Sequence, residues 1–109
     1  MKVYKEEDFT KGWFIGNFDP VIKKSKDFEV SLKTYIEGDY EERHHHKIAT
    51  EITIIARGIV EMNGLTFKTG DIIEIPPGES TDFKVISEDV STVVVKYPSV
   101  VDDKYLGDA

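Results

Sequence analysis

The sequence contains no cysteine, and its acidic residues outnumber its basic ones by 21 to 14 over 109 residues. The lack of cysteine excludes disulfides, thiolate metal sites and thiol nucleophiles. The formal net charge of −7 is spread along the chain and is not gathered into a tail. A diffuse negative charge disfavours nucleic acids and anionic membranes, which both attract concentrated Lys or Arg. We therefore expect neither as a partner.

Long hydrophobic runs are also missing. No apolar stretch approaches the roughly 20 residues that cross a bilayer as a helix. The first ten residues, MKVYKEEDFT, lack the apolar centre of a signal peptide. We expect a cytoplasmic protein with a single domain over residues 1–109 and a core formed by about residues 28–97.

Alternation of apolar and polar residues predicts β-strands from residue 28 onward. The predicted strands are residues 30–36, 51–56, 59–62, 65–68, 72–75, 81–86 and 92–97. Asn63-Gly64 is the strongest hairpin signal, because a two-residue type I′ turn needs positive φ at both positions. Many short strands without a convincing helix indicate an all-β sandwich or barrel. Residues 1–27 are broken by glycines and a proline, and we expect them to form an arm packed against this body.

The three histidines of the chain are adjacent, at positions 44 to 46, and a glutamate follows at position 51. On a strand, His44 and His46 point to one face and His45 to the other, so we expect His45 to be a surface or interface residue. The intervening residues 47–50 are long enough to turn into the next antiparallel strand and to bring Glu51 opposite the histidines. Two imidazoles and one carboxylate form a set that suits Fe(II), Mn(II), Ni(II) or Zn(II) and leaves open positions for water or substrate.

The spacing of these residues resembles the first motif of the cupin family, which reads G, five residues, H-x-H, three or four residues, E, six residues, G. The matching positions are Gly38, His44, His46, Glu51 and Gly58. Residues 70–78, GDIIEIPPG, match the first half of the second cupin motif, G, five residues, P-x-G. The resemblance covers roughly residues 28–97. It implies a jelly-roll-like antiparallel β-barrel, a site in the barrel mouth and commonly a homodimer.

The second motif lacks its histidine. Thr81 stands where the family usually supplies a fourth ligand, and Val85 stands where it has asparagine. A threonine hydroxyl is a poor ligand for a divalent metal, so a bound ion would have three protein ligands and water. Asp82 or Glu79 could supply a carboxylate instead, although alternation with Thr81 disfavours Asp82.

The favoured function is a small cupin-like protein that binds a divalent metal through His44, His46 and Glu51. A polar small molecule, such as a sugar derivative, would lie in the barrel mouth. An isomerase or epimerase reaction needs proton transfer next to a carbonyl, which the metal or a histidine, His44 or His46, can assist. Three alternatives stay open: a metal-free polar pocket in which a histidine acts as acid or base, a non-catalytic ligand-binding module, and a dimeric structural module. The last rests on the strand 51–56, whose two faces are both largely apolar.

Overall fold

The chain folds into β-structure along most of its length. The computed structural model covers residues 1–109, and no helix in it is long and apolar enough to cross a membrane. Two single turns of 3₁₀ helix come first, Glu6–Asp8 and Thr10–Gly12. Eleven strands follow: β1 (Trp13–Gly16), β2 (Lys23–Lys24), β3 (Glu29–Tyr35), β4 (Tyr40–His45), β5 (Thr50–Arg57), β6 (Ile59–Met62), β7 (Leu65–Lys68), β8 (Ile72–Ile75), β9 (Thr81–Val85), β10 (Val90–Tyr97) and β11 (Tyr105–Leu106).

The strands form two sheets that face each other. One sheet has the order β2-β1-β3-β10-β5-β8, and the other has the order β11-β4-β9-β6-β7. All neighbours are antiparallel except β1 and β2. The chain crosses from one sheet to the other between β3 and β4 and again between β4 and β5. Residues of both sheets, such as Ile55 of β5 and Phe83 of β9, belong to one buried cluster, so the two inner faces enclose a common interior.

The interior changes from apolar to polar along the strands. At one end lies a cluster of buried hydrophobic side chains: Tyr35, Ile55, Val60, Met62, Ile75, Phe83, Val85 and Val90. Towards the other end, the same inner face carries a row of charged residues that lie side by side, Glu29 on β3, Lys96 on β10 and Glu51 on β5. The apolar end stabilises the barrel by burial, and the polar end is left for a site.

All seven predicted strands are present, with ends that differ by no more than two residues. The hairpin between β6 and β7 is also confirmed, since Asn63 and Gly64 have φ of 51° and 77°. β4 was expected only as the strand that carries the histidines, without bounds, and β1, β2 and β11 were not predicted because they lie in segments without a clear period of two. β1 pairs with the edge strand β3, so part of the predicted arm is an extension of the sheet.

The remainder of the amino-terminal arm packs on the outside of β3. The Glu6 carboxylate accepts hydrogen bonds from both the backbone N–H and the hydroxyl of Thr34, at 3.0 and 2.6 Å. Tyr4, Phe9 and Phe14 pack in sequence beside it, with neighbouring ring centroids 5.8 and 6.4 Å apart. The predicted packing arm is thus present from residue 4 to residue 12.

The two glycines that bound the first motif have different structural roles, which a pair of substitutions distinguishes. Both have positive φ, +89° at Gly38 and +97° at Gly58. A Cβ at Gly58 would lie 2.6 Å from Val90 Cγ2, whereas nothing lies within 4 Å of one at Gly38. We expect Gly38→Ala to lower the free energy of unfolding by about 1 kcal/mol, the cost of the left-handed backbone. Gly58→Ala should cost about 1–3 kcal/mol more because it also overpacks the core. Urea denaturation of both variants checks this, and equal losses would contradict it.

Candidate metal centre

Three potential metal ligands converge where the two sheets face each other. His44 lies in β4 and His46 directly follows it, whereas Glu51 lies in β5 of the other sheet. Ligand atoms of the three side chains all lie within 4.8 Å of one another. The prediction that residues 47–50 turn into a neighbouring antiparallel strand is wrong, because β4 pairs with β9 and β11 while β5 pairs with β10 and β8. Glu51 therefore reaches the histidines across the barrel interior.

Backbone carbonyls fix the orientation of both imidazoles. His44 Nδ1 lies 2.9 Å from the carbonyl oxygen of Glu42, and His46 Nδ1 lies 2.8 Å from that of Asp103. A carbonyl oxygen only accepts hydrogen bonds, so each Nδ1 must carry the proton. In the neutral rings, each Nε2 then has a free lone pair. This is the arrangement by which proteins orient metal-binding histidines.

The carboxylate of Glu51 is held in a similar way. Thr53 donates its hydroxyl to Glu51 Oε2 at 2.8 Å, while Oε1 lies 3.3 Å from His46 Nε2. Burial raises the pKa of Glu51, but the contact with His46 Nε2, the hydrogen bond from Thr53 and the charge of Lys96 together outweigh burial. The pKa of this carboxyl therefore lies below its usual value, and Glu51 is ionised at neutral pH.

The contact between His46 and Glu51 fits a cation. With the proton of His46 on Nδ1, two acceptor atoms, Nε2 and Oε1, face each other at 3.3 Å. Such a contact is repulsive unless a second proton or a metal ion lies between the two atoms. A divalent ion about 2.0–2.2 Å from each would satisfy both lone pairs. The donor set and its orientation thus suit a divalent metal.

The carboxyl-terminal segment supports this centre from behind. Asp103 is buried, and its carboxylate accepts hydrogen bonds from the backbone N–H groups of Lys47, Ile48 and Ala49 at 2.9–3.2 Å. Its backbone carbonyl is the group that orients His46. Asp103 therefore fixes both the turn between β4 and β5 and the imidazole of His46, with which that turn begins. The irregular tail sequence does not predict this role.

The expectation that His45 lies on the surface or in an interface is wrong. Its side chain points away from the centre, as alternation requires, but β11 covers it and leaves it buried, with an exposed fraction of 4%. His45 Nδ1 lies 2.8 Å from the carbonyl oxygen of Gly107, and the ring stacks on Tyr105. His45 therefore anchors the carboxyl-terminal segment.

No fourth side-chain ligand completes the centre. Thr81 is buried directly opposite His44 in the β4–β9 pair. The two alternative carboxylates do not reach the interior: Asp82 accepts a hydrogen bond from the backbone N–H of Asn63, and Glu79 is exposed in the loop before β9. Their proposed role as substitute ligands is therefore wrong, and three protein ligands leave positions open for water or substrate.

A cavity of about 170 Å³ adjoins the three ligands. Its wall combines hydrophobic residues with groups that carry charge or donate hydrogen bonds: Lys11, Trp13, Ser31, Lys33, Tyr35, Glu41, His44, His46, Glu51, Thr53, Met62, Thr81, Phe83, Thr92, Val94, Lys96 and Lys104. This volume is below the roughly 300–1,000 Å³ of typical ligand pockets, so only a small molecule would fit.

A second polar cluster lies in the cavity wall away from the histidines. Lys33 and Tyr35 both donate to Glu41 Oε1, each at 3.0 Å. Burial and the adjacent Glu41 carboxylate raise the pKa of Tyr35 well above its usual value, so its hydroxyl remains a proton donor to Glu41. Glu41 Oε1 is occupied by these two donors. The only signal for this cluster in the sequence is that Lys33 and Tyr35 share one face of a predicted strand.

Structural comparison identifies the fold. No protein-family model matches the chain, and no curated protein matches it by sequence. A conserved protein with a double-stranded β-helix domain from Klebsiella pneumoniae is similar in structure, with a TM-score of 0.70 and 22% identity over 78% of this chain and 74% of that one. A cupin 2 conserved barrel domain protein from Salinispora arenicola has a TM-score of 0.58 and 26% identity over 65% of this chain and 63% of that one.

Oxalate decarboxylase from Bacillus subtilis, a protein with Mn(II) centres, is also similar, with a TM-score of 0.64 and 18% identity. The match covers 74% of this chain and 24% of the decarboxylase. These likenesses confirm the fold expected from the two motifs. The chain is a small protein of the cupin, or double-stranded β-helix, fold.

The role of Asp103 predicts a local dependence of stability on pH. Burial raises the pKa of Asp103, but the N–H groups of Ala49, Lys47 and Ile48 together outweigh it, so the pKa lies below its usual value. A carboxyl group with a lowered pKa stabilises the fold above its unfolded value, near 4, and loses this effect as the pH falls through its folded value. Asp103→Asn should therefore lower the free energy of unfolding by about 2 kcal/mol at neutral pH, and by progressively less below pH about 4. Urea denaturation as a function of pH measures this difference.

Asp102→Asn is the matched control, because Asp102 is exposed and its positive φ of 60° also suits asparagine. It should leave the free energy of unfolding nearly unchanged at every pH. Equal effects of the two substitutions would contradict the anchoring role of Asp103.

Proposed function

We propose that this protein binds a divalent metal ion through His44, His46 and Glu51 and holds a small polar molecule, such as a sugar derivative, in the adjoining cavity. The observation that carries the proposal is the orientation of the ligands. Two imidazoles present unprotonated Nε2 atoms, one of them 3.3 Å from a buried carboxylate oxygen. Manganese is a suitable ion, since the similarly folded oxalate decarboxylase has Mn(II) centres. Fe(II), Ni(II) and Zn(II) suit the same donors.

The favoured reaction class is a metal-assisted isomerisation or epimerisation, in which a proton is transferred next to a carbonyl group. A divalent ion supplies Lewis acidity that polarises a carbonyl or hydroxyl oxygen. Glu51 offsets part of its positive charge, and Thr53 keeps the carboxylate oriented. Glu41 is a second carboxylate in the cavity wall, and its Oε2, which Lys33 and Tyr35 leave free, is the oxygen placed to accept the transferred proton, since the histidine Nε2 atoms are occupied in the metal-bound site.

A second candidate is a module that binds a ligand without turning it over. The observation that favours it is Thr81, because the missing fourth ligand leaves the centre less completely held than in the full motif. The two functions are distinguished by incubating metal-loaded protein with a candidate sugar and analysing the mixture by NMR. New resonances support the enzyme, and line broadening without a new species supports the binding module.

Metal titration of histidine variants tests the proposed centre. We expect stripped wild-type protein to take up one equivalent of Mn(II), Fe(II), Ni(II) or Zn(II). His44→Ala or His46→Ala should lower the affinity at least about 100-fold, because each removes one of three ligands, and loss of a supporting residue alone costs 10–100-fold. The uptake of manganese is measured from the loss of the electron paramagnetic resonance signal of free Mn(II). Glu79→Gln is the control and should retain it, since Glu79 is exposed in the loop before β9 and does not reach the interior. Uptake that survives the loss of His44 and His46, or that depends on Glu79, would contradict the proposal.

We also propose a homodimer that forms through the outer face of the six-stranded sheet. This face presents aliphatic side chains from four adjacent strands: Val30, Leu32, Ile52, Ile54, Ile72, Val93 and Val95. Their alternate neighbours, among them Lys33, Glu51 and Lys96, point into the barrel, so the aliphatic face of this sheet is its outer one. A contiguous apolar face on a protein surface commonly marks an interface. A second copy of the same face would cover it by aligned sheet packing.

Two equally exposed residues provide the test of the dimer. Ile72, with an exposed fraction of 69%, lies on the proposed interface, and Leu65, with 63%, lies on the other sheet. We expect the wild-type protein to sediment as a dimer. Ile72→Lys should raise the dissociation constant of the dimer at least about tenfold, and Leu65→Lys should leave it unchanged. A monomeric wild-type protein at micromolar concentration would contradict the interface.

A further inference from the structure

The cavity has a charge opposite to that of the protein. The chain carries 21 acidic and 14 basic residues. The cavity wall nevertheless contains four lysines, Lys11, Lys33, Lys96 and Lys104, and only two carboxylates, Glu41 and Glu51. A divalent ion at the candidate centre would add further positive charge. An enclosed cluster of this sign attracts anions, since low-dielectric walls strengthen the local field.

Lys96 is the most enclosed of these cations, with an exposed side-chain fraction of 17%. It lies between Glu29 and Glu51 in adjacent strands. The nearest carboxylate oxygen, Glu29 Oε1, is 3.9 Å from Nζ, which is beyond hydrogen-bond distance. That oxygen has no hydrogen-bond partner. Lys96 thus keeps unused hydrogen-bond donors at the cavity wall.

The other cations differ in how far the protein already neutralises them. Lys33 is paired with Glu41 at 3.0 Å. Lys11 comes from the amino-terminal arm and Lys104 from the carboxyl-terminal segment, and neither has a carboxylate within 4 Å. Trp13 also lines the cavity, and its ring centroid is 4.8 Å from Lys96 Nζ, which holds that ammonium in place by a cation–π contact. Both ends of the chain therefore contribute to a cationic rim.

We propose that the ligand of this cavity is a small organic anion whose carboxylate or phosphate group is bound by Lys96, with Lys11 and Lys104 attracting it at the rim. The cavity of about 170 Å³ limits it to a compact molecule. The inference rests on the proposed function only in placing the ligand in this cavity. It does not depend on the metal, because the lysines are present without it. It narrows the polar ligand class to acids.

Calorimetry with an isosteric pair of probes tests this inference. Malate and malamide have nearly the same size and shape, but only malate is charged. We expect malate to bind the wild-type protein at least about tenfold more tightly than malamide. Lys96→Gln should lower the malate affinity by about tenfold through loss of a charged hydrogen bond, and Lys96→Arg should retain most of it. Malamide affinity should be unchanged in both variants.

Two further variants test whether malate binding depends on charge at the cavity or on the overall charge of the protein. Lys104→Gln removes an exposed rim charge without disturbing the interior and should weaken malate binding several-fold. Lys84→Gln makes the same change of charge on the outer side of β9 and should leave it unaffected. An equal loss in Lys84→Gln, equal binding of malate and malamide, or no binding of malate or inorganic phosphate at millimolar concentration would overturn the proposal. Lysine-dependent binding of phosphate without malate would support it and assign the anionic group as a phosphate.

The same samples separate this inference from the proposed metal centre. Each titration is run with stripped protein and with protein exposed to Mn(II), whose uptake is measured independently. Anion binding that depends on Lys96 and persists without metal uptake supports the lysine site and contradicts the metal centre. Metal uptake with malate binding that is insensitive to Lys96 and Lys104 supports the metal centre and overturns the lysine site.

Discussion

The structure depends on one buried side chain, Asp103, which joins the end of the chain to the turn that carries the histidines. Its carboxylate accepts hydrogen bonds from three consecutive backbone N–H groups, and its backbone carbonyl oxygen accepts one from His46 Nδ1–H. The turn cannot move without breaking these bonds, each of which involves a charge or a buried group. A residue 57 positions away in sequence therefore orients His46, one of the three candidate ligands, and the carboxyl-terminal segment is part of the site.

The barrel combines stability and function by dividing its interior along the strands. On β5 the inward side chains run from Glu51 through Thr53 to Ile55, that is, from a candidate ligand through its hydrogen-bond partner to the core. Neighbouring strands show the same order, with Lys96 and Val90 at opposite ends of β10. The buried and half-buried charged residues of the polar half, Glu29, Lys96 and Glu51, alternate in sign along adjacent strands, which limits the cost of burying them. The apolar half supplies the burial that holds the sheets together.

Much of the fold and the identity of the converging ligands could be predicted from spacing. Glycines, histidines and glutamate at fixed intervals, together with the Asn63-Gly64 turn, led to the barrel and to the meeting of His44, His46 and Glu51. What periodicity could not predict is which face of a strand points inward. On β3 the apolar residues Val30 and Leu32 face outward, and the polar alternates line the cavity.

The remaining errors have a common cause in long-range contacts. The burial of His45 depends on β11, whose two residues have no period to reveal a strand. The pairing of β4 with β9, and not with β5, depends on the closure of the whole barrel. Lys96 is an ordinary strand residue in the sequence and acquires its place beside the centre only through registers with β3 and β5. The alternation of residues along one strand does not determine its register with the neighbouring strands.

The central claim is that three oriented side chains hold one divalent ion, and anomalous diffraction from crystals grown with manganese tests it most directly. The account predicts a single strong anomalous peak inside the barrel, about 2.2 Å from Nε2 of His44, Nε2 of His46 and a carboxylate oxygen of Glu51. Both Nδ1 atoms should keep their hydrogen bonds to backbone carbonyls. A barrel interior without such a peak, or imidazoles turned so that Nε2 faces a backbone carbonyl, would contradict the account.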